Sequence, residues 1–148
     1  MLVQVARVAV DFGMLILIWL VQLIIYPSFQ YSARESFIQW HEKYTGLITL
    51  VVLPLMLAQI GLAIWQFYNG DRSWETLTAL GLIAFCWLVT FALSVPAHNQ
   101  LQTIGNDIET VRWLVLTNWL RTIGWTAVSV LSIKQFYEMY KAMPSVNL

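Results

Sequence analysis

Apolar residues come in four long runs along the chain, roughly 5–26, 45–67, 77–95 and 111–133. Each is long enough to cross a hydrocarbon core of ~30 Å, which takes about 20 residues of helix. Within each run polar or bulky positions recur at helical spacing. The first carries Asp11, Ile18, Gln22 and Tyr26 on one line, and the second His41, Thr45, Met56, Gln59, Ala63 and Gln66. The third carries Trp87, Thr90, Ser94 and His98, and the fourth Asn118, Arg121, Thr122, Trp125, Ser129 and Ser132. Four such stripes turned inward make a bundle with a polar seam instead of a dry core.

The breaks between runs hold turn chemistry: Pro27-Ser28, then Asn69-Gly70-Asp71, then Pro96 with Gly105-Asn106-Asp107. Ser73 reads as the N-cap of the third helix, and Asn106 with Glu109 as a capping box for the fourth. The fourth helix is expected to continue to about Lys141 as an amphipathic tail outside the bilayer. The expected fold is an all-α integral membrane four-helix bundle, up-down-up-down, forming one domain over residues 1–148. That threading puts the N-terminus, the 69–74 turn and the C-terminus on one side. Segments 27–44 and 97–110 fall on the other.

Composition agrees. Hydrophobic residues make up 59% and charged residues only 11%, where soluble domains carry about 25%. The formal net charge is zero, so nucleic acid is not an expected partner. Cys86, the only cysteine, reads as a small packed apolar residue and excludes an internal disulfide. Asp11 and the absence of a cleavage pattern mark the first run as a retained span and not a signal peptide. Arg7, Arg72, Lys134 and Lys141 flank the termini side, and Arg34, Lys43 and Arg112 the other, once Arg121 is discounted as intramembrane. The positive-inside rule then places both termini in the cytoplasm.

Arg121 carries the chemistry most clearly. It stands about 10 residues, or ~15 Å, into its helix, and a charge at that depth costs ~2.5–3.5 kcal/mol on insertion scales. A partner or a function is expected, with Glu42 the nearest candidate carboxylate and Asp107 behind it. His41 and His98 enter from the same side as Tyr26, Glu42, Asn118 and Arg121, which makes a candidate site. Histidine there can move protons or ligate a metal. No His-x-x-His or Glu-x-x-His spacing supports a metal, and no cofactor can be read from the sequence. Thr90, Ser94, Ser129, Ser132, Gln59 and Gln66 read as hydrogen-bonding glue between helices. Asp11 reads as reaching water or capping a helix.

The run Val95-Pro96-Ala97-His98-Asn99-Gln100-Leu101, with Asn118-Trp119-Leu120-Arg121-Thr122 and Trp125, resembles a known group of proteins. Tyr26-Pro27-Ser28-Phe29, Phe37, His41, Tyr44 and Pro54-Leu55-Met56 belong to the same likeness. The group is one of small bacterial four-span membrane proteins, distantly similar to the anthrone oxygenase-like family. The resemblance implies four transmembrane helices in a bacterial inner membrane, with His98, Asn118 and Arg121 at the site. It implies oxidation of a polycyclic aromatic by dioxygen without a recognised cofactor. This chain departs from the relatives by having Tyr44 where a second histidine is common and Gln59 where an acidic residue is common.

The function expected is that of a membrane oxidoreductase or oxygenase acting on a hydrophobic aromatic or quinone-like molecule. His98, Arg121 and His41 would be catalytic, with Arg121 stabilising an enolate or phenolate and a histidine moving the proton. Asn118, Tyr26, Trp125 and Glu42 would bind substrate, with Trp40, Trp113, Trp119 and Trp125 as pocket walls. The alternative is a non-enzymatic accessory protein holding a lipid, pigment or metal, or serving a partner membrane complex. The expected partners are the lipid bilayer, a hydrophobic small molecule, and either further copies of the chain or a partner membrane protein. A transporter is disfavoured because no inverted repeat is visible.

Overall fold

The computed structural model describes residues 1–143. Residues 144–148, counted in the single-domain reading, lie outside the described residues. The described chain is helical and has no strand. It forms four rods: α1 (Leu2–Tyr31), α2 (Phe37–Tyr68), α3 (Trp74–Ile104) and α4 (Ile108–Lys141). The first three are long and apolar enough to cross a membrane. All four run past the limits set by hydropathy. At ~1.5 Å per residue, the 34 residues of α4 reach about 50 Å.

α4 is the central rod, packed along both α1 and α3, while α2 packs against α1 and α3. At one end Gln4 Nε2 donates to the Ser132 carbonyl, Arg7 to Gln66, Gln66 to Asp71, and Gln135 to Thr76. The start of α1, the end of α2, the start of α3 and the late part of α4 therefore meet there. At the other end Asn106 Nδ2 donates to the carbonyls of Phe29 and Ser32, and Gln102 Nε2 to that of Ile38.

Polarity is distributed inside out. Arg7, Asp11, His41, Gln59, Asn118 and Thr122 are buried, while Leu50, Leu88, Leu116 and Ile123 lie exposed on the outer faces. In water that arrangement forfeits apolar burial and invites association. Against lipid it is the favourable one, because a polar side chain then finds partners only indoors. Ser73 caps α3 as expected, accepting from the Thr76 amide. The cap of α4 is Asp107, which accepts from the Thr110 amide and hydroxyl. Asn106, expected in that role, is spent on tying the end of α1 to the loop before α4.

Two wide π-turns interrupt the rods, Val21–Ile25 in α1 and Thr90–Ser94 in α3. Each comes just before a proline, Pro27 or Pro96. Proline cannot donate to the preceding turn, and its ring crowds the carbonyl four residues back. A π-turn accommodates this by adding one residue, which slews the following helix face by about 100°. Pro96 therefore lies inside α3 and not in a loop, and His98 sits on a helix. Both π-turns border the polar centre.

α3 and α4 approach closely at Gly124, where an added Cβ would stand 2.5 Å from Cys86 Sγ. Gly124→Ala is expected to destabilise the protein by ~1–3 kcal/mol through overpacking, measured by thermal unfolding in detergent. Adding Cys86→Ala should recover most of that loss. An unchanged midpoint for Gly124→Ala would contradict the close approach.

Candidate functional site

The two histidines, expected near one another, form part of a single hydrogen-bonded chain. His41 Nε2 lies 3.0 Å from His98 Nδ1, and His98 Nε2 lies 3.0 Å from the Tyr26 hydroxyl. Arg121 Nη2 donates to that hydroxyl at 3.0 Å. At the outer end His41 Nδ1 lies 2.8 Å from Gln102 Oε1.

With both rings neutral, the direction of every bond follows from Gln102. Its amide nitrogen donates to the Ile38 carbonyl, so its oxygen faces His41 and only accepts. His41 therefore holds its hydrogen on Nδ1, and its Nε2 accepts from His98 Nδ1–H. His98 Nε2 is then bare and accepts from the Tyr26 O–H, whose oxygen takes the hydrogen from Arg121. Hydrogens thus point outward from Arg121 to Gln102 along a relay with both rings neutral and both tautomers fixed. Phe29, fully buried, packs edge-on against His41 and His98, and Phe37 stacks on His41 with centroids 5.2 Å apart. These contacts set the ring planes.

Arg121 is 5% exposed. Nε donates to Asn118 Oδ1 at 3.0 Å, and Nη2 donates to the same oxygen as well as to Tyr26. Nη1 donates to Thr90 Oγ1 at 3.3 Å. The Asn118 amide is held in turn by Gln22 Oε1 at 2.8 Å, which also accepts from Thr122. The guanidinium carries five N–H groups, and this set leaves one Nη1 hydrogen without a partner. None of its partners is charged, and no described carboxylate pairs with it. The Tyr26 and Trp125 rings lie 6.0 and 5.8 Å from its centre.

Arg121 borders a cavity of about 140 Å³ lined by residues of all four helices. Its polar wall is Tyr26, Tyr44, Thr90, Ser94, His98 and Arg121, and its apolar wall includes Met14, Ile18, Val52 and Trp125. Ser94 is 3% exposed and its hydroxyl has no partner. An outer groove between α2 and α3, lined by His41, Glu42, Asn99 and Gln102, shares Ile48, Thr49, Val95 and His98 with the cavity.

Of the residues singled out by sequence, His41, His98, Arg121, Asn118, Tyr26 and Trp125 converge here. Glu42 does not reach Arg121: it is exposed and borders only the outer groove, because it follows His41 by one position and so faces away from the seam. Asp107 is committed to its helix cap. Trp113 and Trp119 are 52% and 38% exposed on the outer face of α4, so neither walls the central cavity. Trp40 is outside as well, stacked on Tyr44. The sequence missed Gln102, whose role depends on a contact 61 positions away. It also read Thr90 and Ser94 as glue, though both line the cavity. Among the described residues no three His, Cys, Asp or Glu side chains come together as a metal-holding group.

A second polar cluster lies toward the termini. Arg7 and Asp11 are both fully buried, one helical turn apart, with Nε and Oδ2 at 3.5 Å. Asp11 Oδ1 accepts from Gln59 Nε2 at 2.7 Å, and Gln59 Oε1 accepts from Trp125 Nε1 at 2.9 Å. Asp11 neither reaches water nor caps a helix, and Arg7 is not a loop charge. With Arg7 removed from the count, Arg72, Lys134 and Lys141 at one end balance Arg34, Lys43 and Arg112 at the other. The charge rule then favours neither orientation.

Comparison of the chain with protein-family models, with curated proteins and with solved structures found no match.

Proposed function

We propose that this is a four-span integral membrane protein whose central pocket binds a hydrophobic, single-ring aromatic or quinone-like molecule and exchanges a proton with it. This is the proton-handling part of an oxidoreductase or oxygenase reaction. Support for a fourth span comes from α4, whose outer face (Leu116, Leu120, Ile123, Val130) is apolar and exposed. Its inward polar stripe lowers its mean hydropathy, which is why length and composition alone do not pick it out. With α4 as a span, the end-to-end contacts support an up-down-up-down threading.

The observation that carries the reading is the relay Arg121–Tyr26–His98–His41 running from the cavity to the outer groove. A ligand O–H beside Tyr26 gives its proton to the phenol oxygen as the Tyr26 proton passes to His98 Nε2. His98 Nδ1–H then passes to His41 Nε2, and the His41 Nδ1 proton leaves on the Gln102 side, where both residues border the outer groove. Arg121 holds the negative charge that remains on the ligand oxygen. Dioxygen, implied by the family resemblance, would take the electrons. Cavity size supports one ring, since a cavity of about 150 Å³ accepts benzene; a three-ring anthrone needs the walls to move apart.

The test is oxidation of a short-chain benzoquinol by purified protein in air-saturated detergent, with binding followed by tryptophan fluorescence. Tyr26→Phe and His98→Phe should each lower turnover by ~10²–10⁴-fold, the usual worth of positioned acid–base groups, while ring binding changes little. Full turnover in both variants would end the relay reading. Binding without turnover in the natural protein would favour the accessory-protein alternative.

A further inference from the structure

The chain treats its two buried arginines differently, and the difference bears on what fills the cavity. Arg7 has its own carboxylate, Asp11, one turn away and equally buried. Arg121 has none; its partners are an amide oxygen and two hydroxyls. An uncompensated charge in a low-dielectric interior is costly, and removal of the partner of a buried ion is correspondingly destabilising. Aromatic faces offset only part of this. The remaining compensation has to come from something in contact with the guanidinium, and the guanidinium-bearing side chain lines the cavity.

Hydrogen-bond accounting of the polar wall gives the same sign. Tyr26 has committed its hydrogen to His98, and Thr90 has committed its own to the Cys86 carbonyl at 2.8 Å. Three hydrogens on the wall are left without a protein acceptor among the described residues: one on Arg121 Nη1, that of Ser94 and that of Tyr44. A wall of unspent donors around a bare cation is built for an acceptor with negative charge.

We propose that the ligand of this pocket is an aromatic oxyanion, a single-ring phenolate or carboxylate, with its charged oxygen on Arg121 Nη1 and Ser94 Oγ and its ring against Met14, Ile18 and Trp125. The inference rests on the reading that the cavity takes one aromatic ring. It adds that the pocket holds the ligand in its deprotonated form, the state left once the proton has entered the relay, and that Ser94 is a binding residue instead of helix–helix glue.

The experiment is a fluorescence titration of the full chain in lipid nanodiscs with benzoate and with benzamide, which share the ring and differ in charge. Benzoate should bind at least ~10-fold tighter, as one full hydrogen-bonded charge pair readily supplies. Ser94→Ala should weaken benzoate several-fold and benzamide, whose carbonyl accepts only a neutral hydrogen bond there, by clearly less. Arg121→Gln should abolish the preference while keeping benzamide binding. Should Arg121→Gln fail to fold, the Ser94→Ala comparison still decides. Equal or tighter binding of benzamide overturns the anionic ligand and leaves the ring-binding reading standing. Binding of neither removes both.

Discussion

Arg121→Leu is expected to abolish turnover, by ~10²–10³-fold or more, the usual loss when a donor aimed at a developing oxyanion is removed, while leaving thermal stability unchanged or raised. The two halves come from one cause. Arg121 is 5% exposed and faces neutral partners. Its removal lifts a desolvation cost that neutral partners and aromatic faces offset only in part, although Asn118, Tyr26 and Thr90 all lose hydrogen bonds. Arg121→Lys should not rescue activity, because an ammonium cannot hold Asn118, Thr90 and Tyr26 in one plane. The measurements are kcat/KM for benzoquinol oxidation and the unfolding midpoint in the same detergent. An active leucine variant would remove the mechanism. An inactive one that has lost several kcal/mol would show that Arg121 is structural.

Arg7 should behave in the opposite way. Arg7→Met leaves Asp11 charged, fully buried and without its cation, so a loss of ~3–5 kcal/mol is expected, and Asp11→Leu should cost as much by stranding Arg7. The double variant Arg7→Met with Asp11→Leu removes both charges and should recover most of the loss, giving a large coupling energy in a double-mutant cycle. Reversible unfolding of the four proteins in mixed detergent measures it. Additive losses would mean that the two side chains act separately. Two arginines in one bundle would thus be told apart by the sign of their effect on stability, and that sign follows from which has a carboxylate neighbour.

Much of this was legible before any coordinates. Four apolar runs and their polar stripes marked the rods and the inward faces, because a 3.6-residue period is a local property. Arg121, His98, His41, Tyr26 and Asn118 were found by depth and by shared end. What depended on contacts far apart in sequence was not legible. Gln102, which sets both histidine tautomers, looks like any loop-proximal glutamine until Ile38 is beside it. Glu42 is the nearest candidate carboxylate for Arg121 in the sequence, but it follows His41 by one position, and adjacent positions on a helix point about 100° apart. Arg7 counts in the sequence among the charges flanking the termini side, though Asp11 four residues on already carries the spacing of an intrahelical pair. The π-turns have a local signal as well, Tyr26-Pro27 and Val95-Pro96, which in the sequence reads as a break in the helix and in the structure is a widening within it.

A polarised chain of hydrogens from Arg121 to Gln102 underlies the proposed chemistry, and nitrogen NMR of isotopically labelled histidine in lipid tests it most directly. Both His41 and His98 should show Nδ1-protonated neutral rings, with a coupling across His98 Nδ1–H to His41 Nε2 that disappears in Gln102→Leu. Rings protonated on Nε2, or two histidines without mutual coupling in the natural protein, would contradict it.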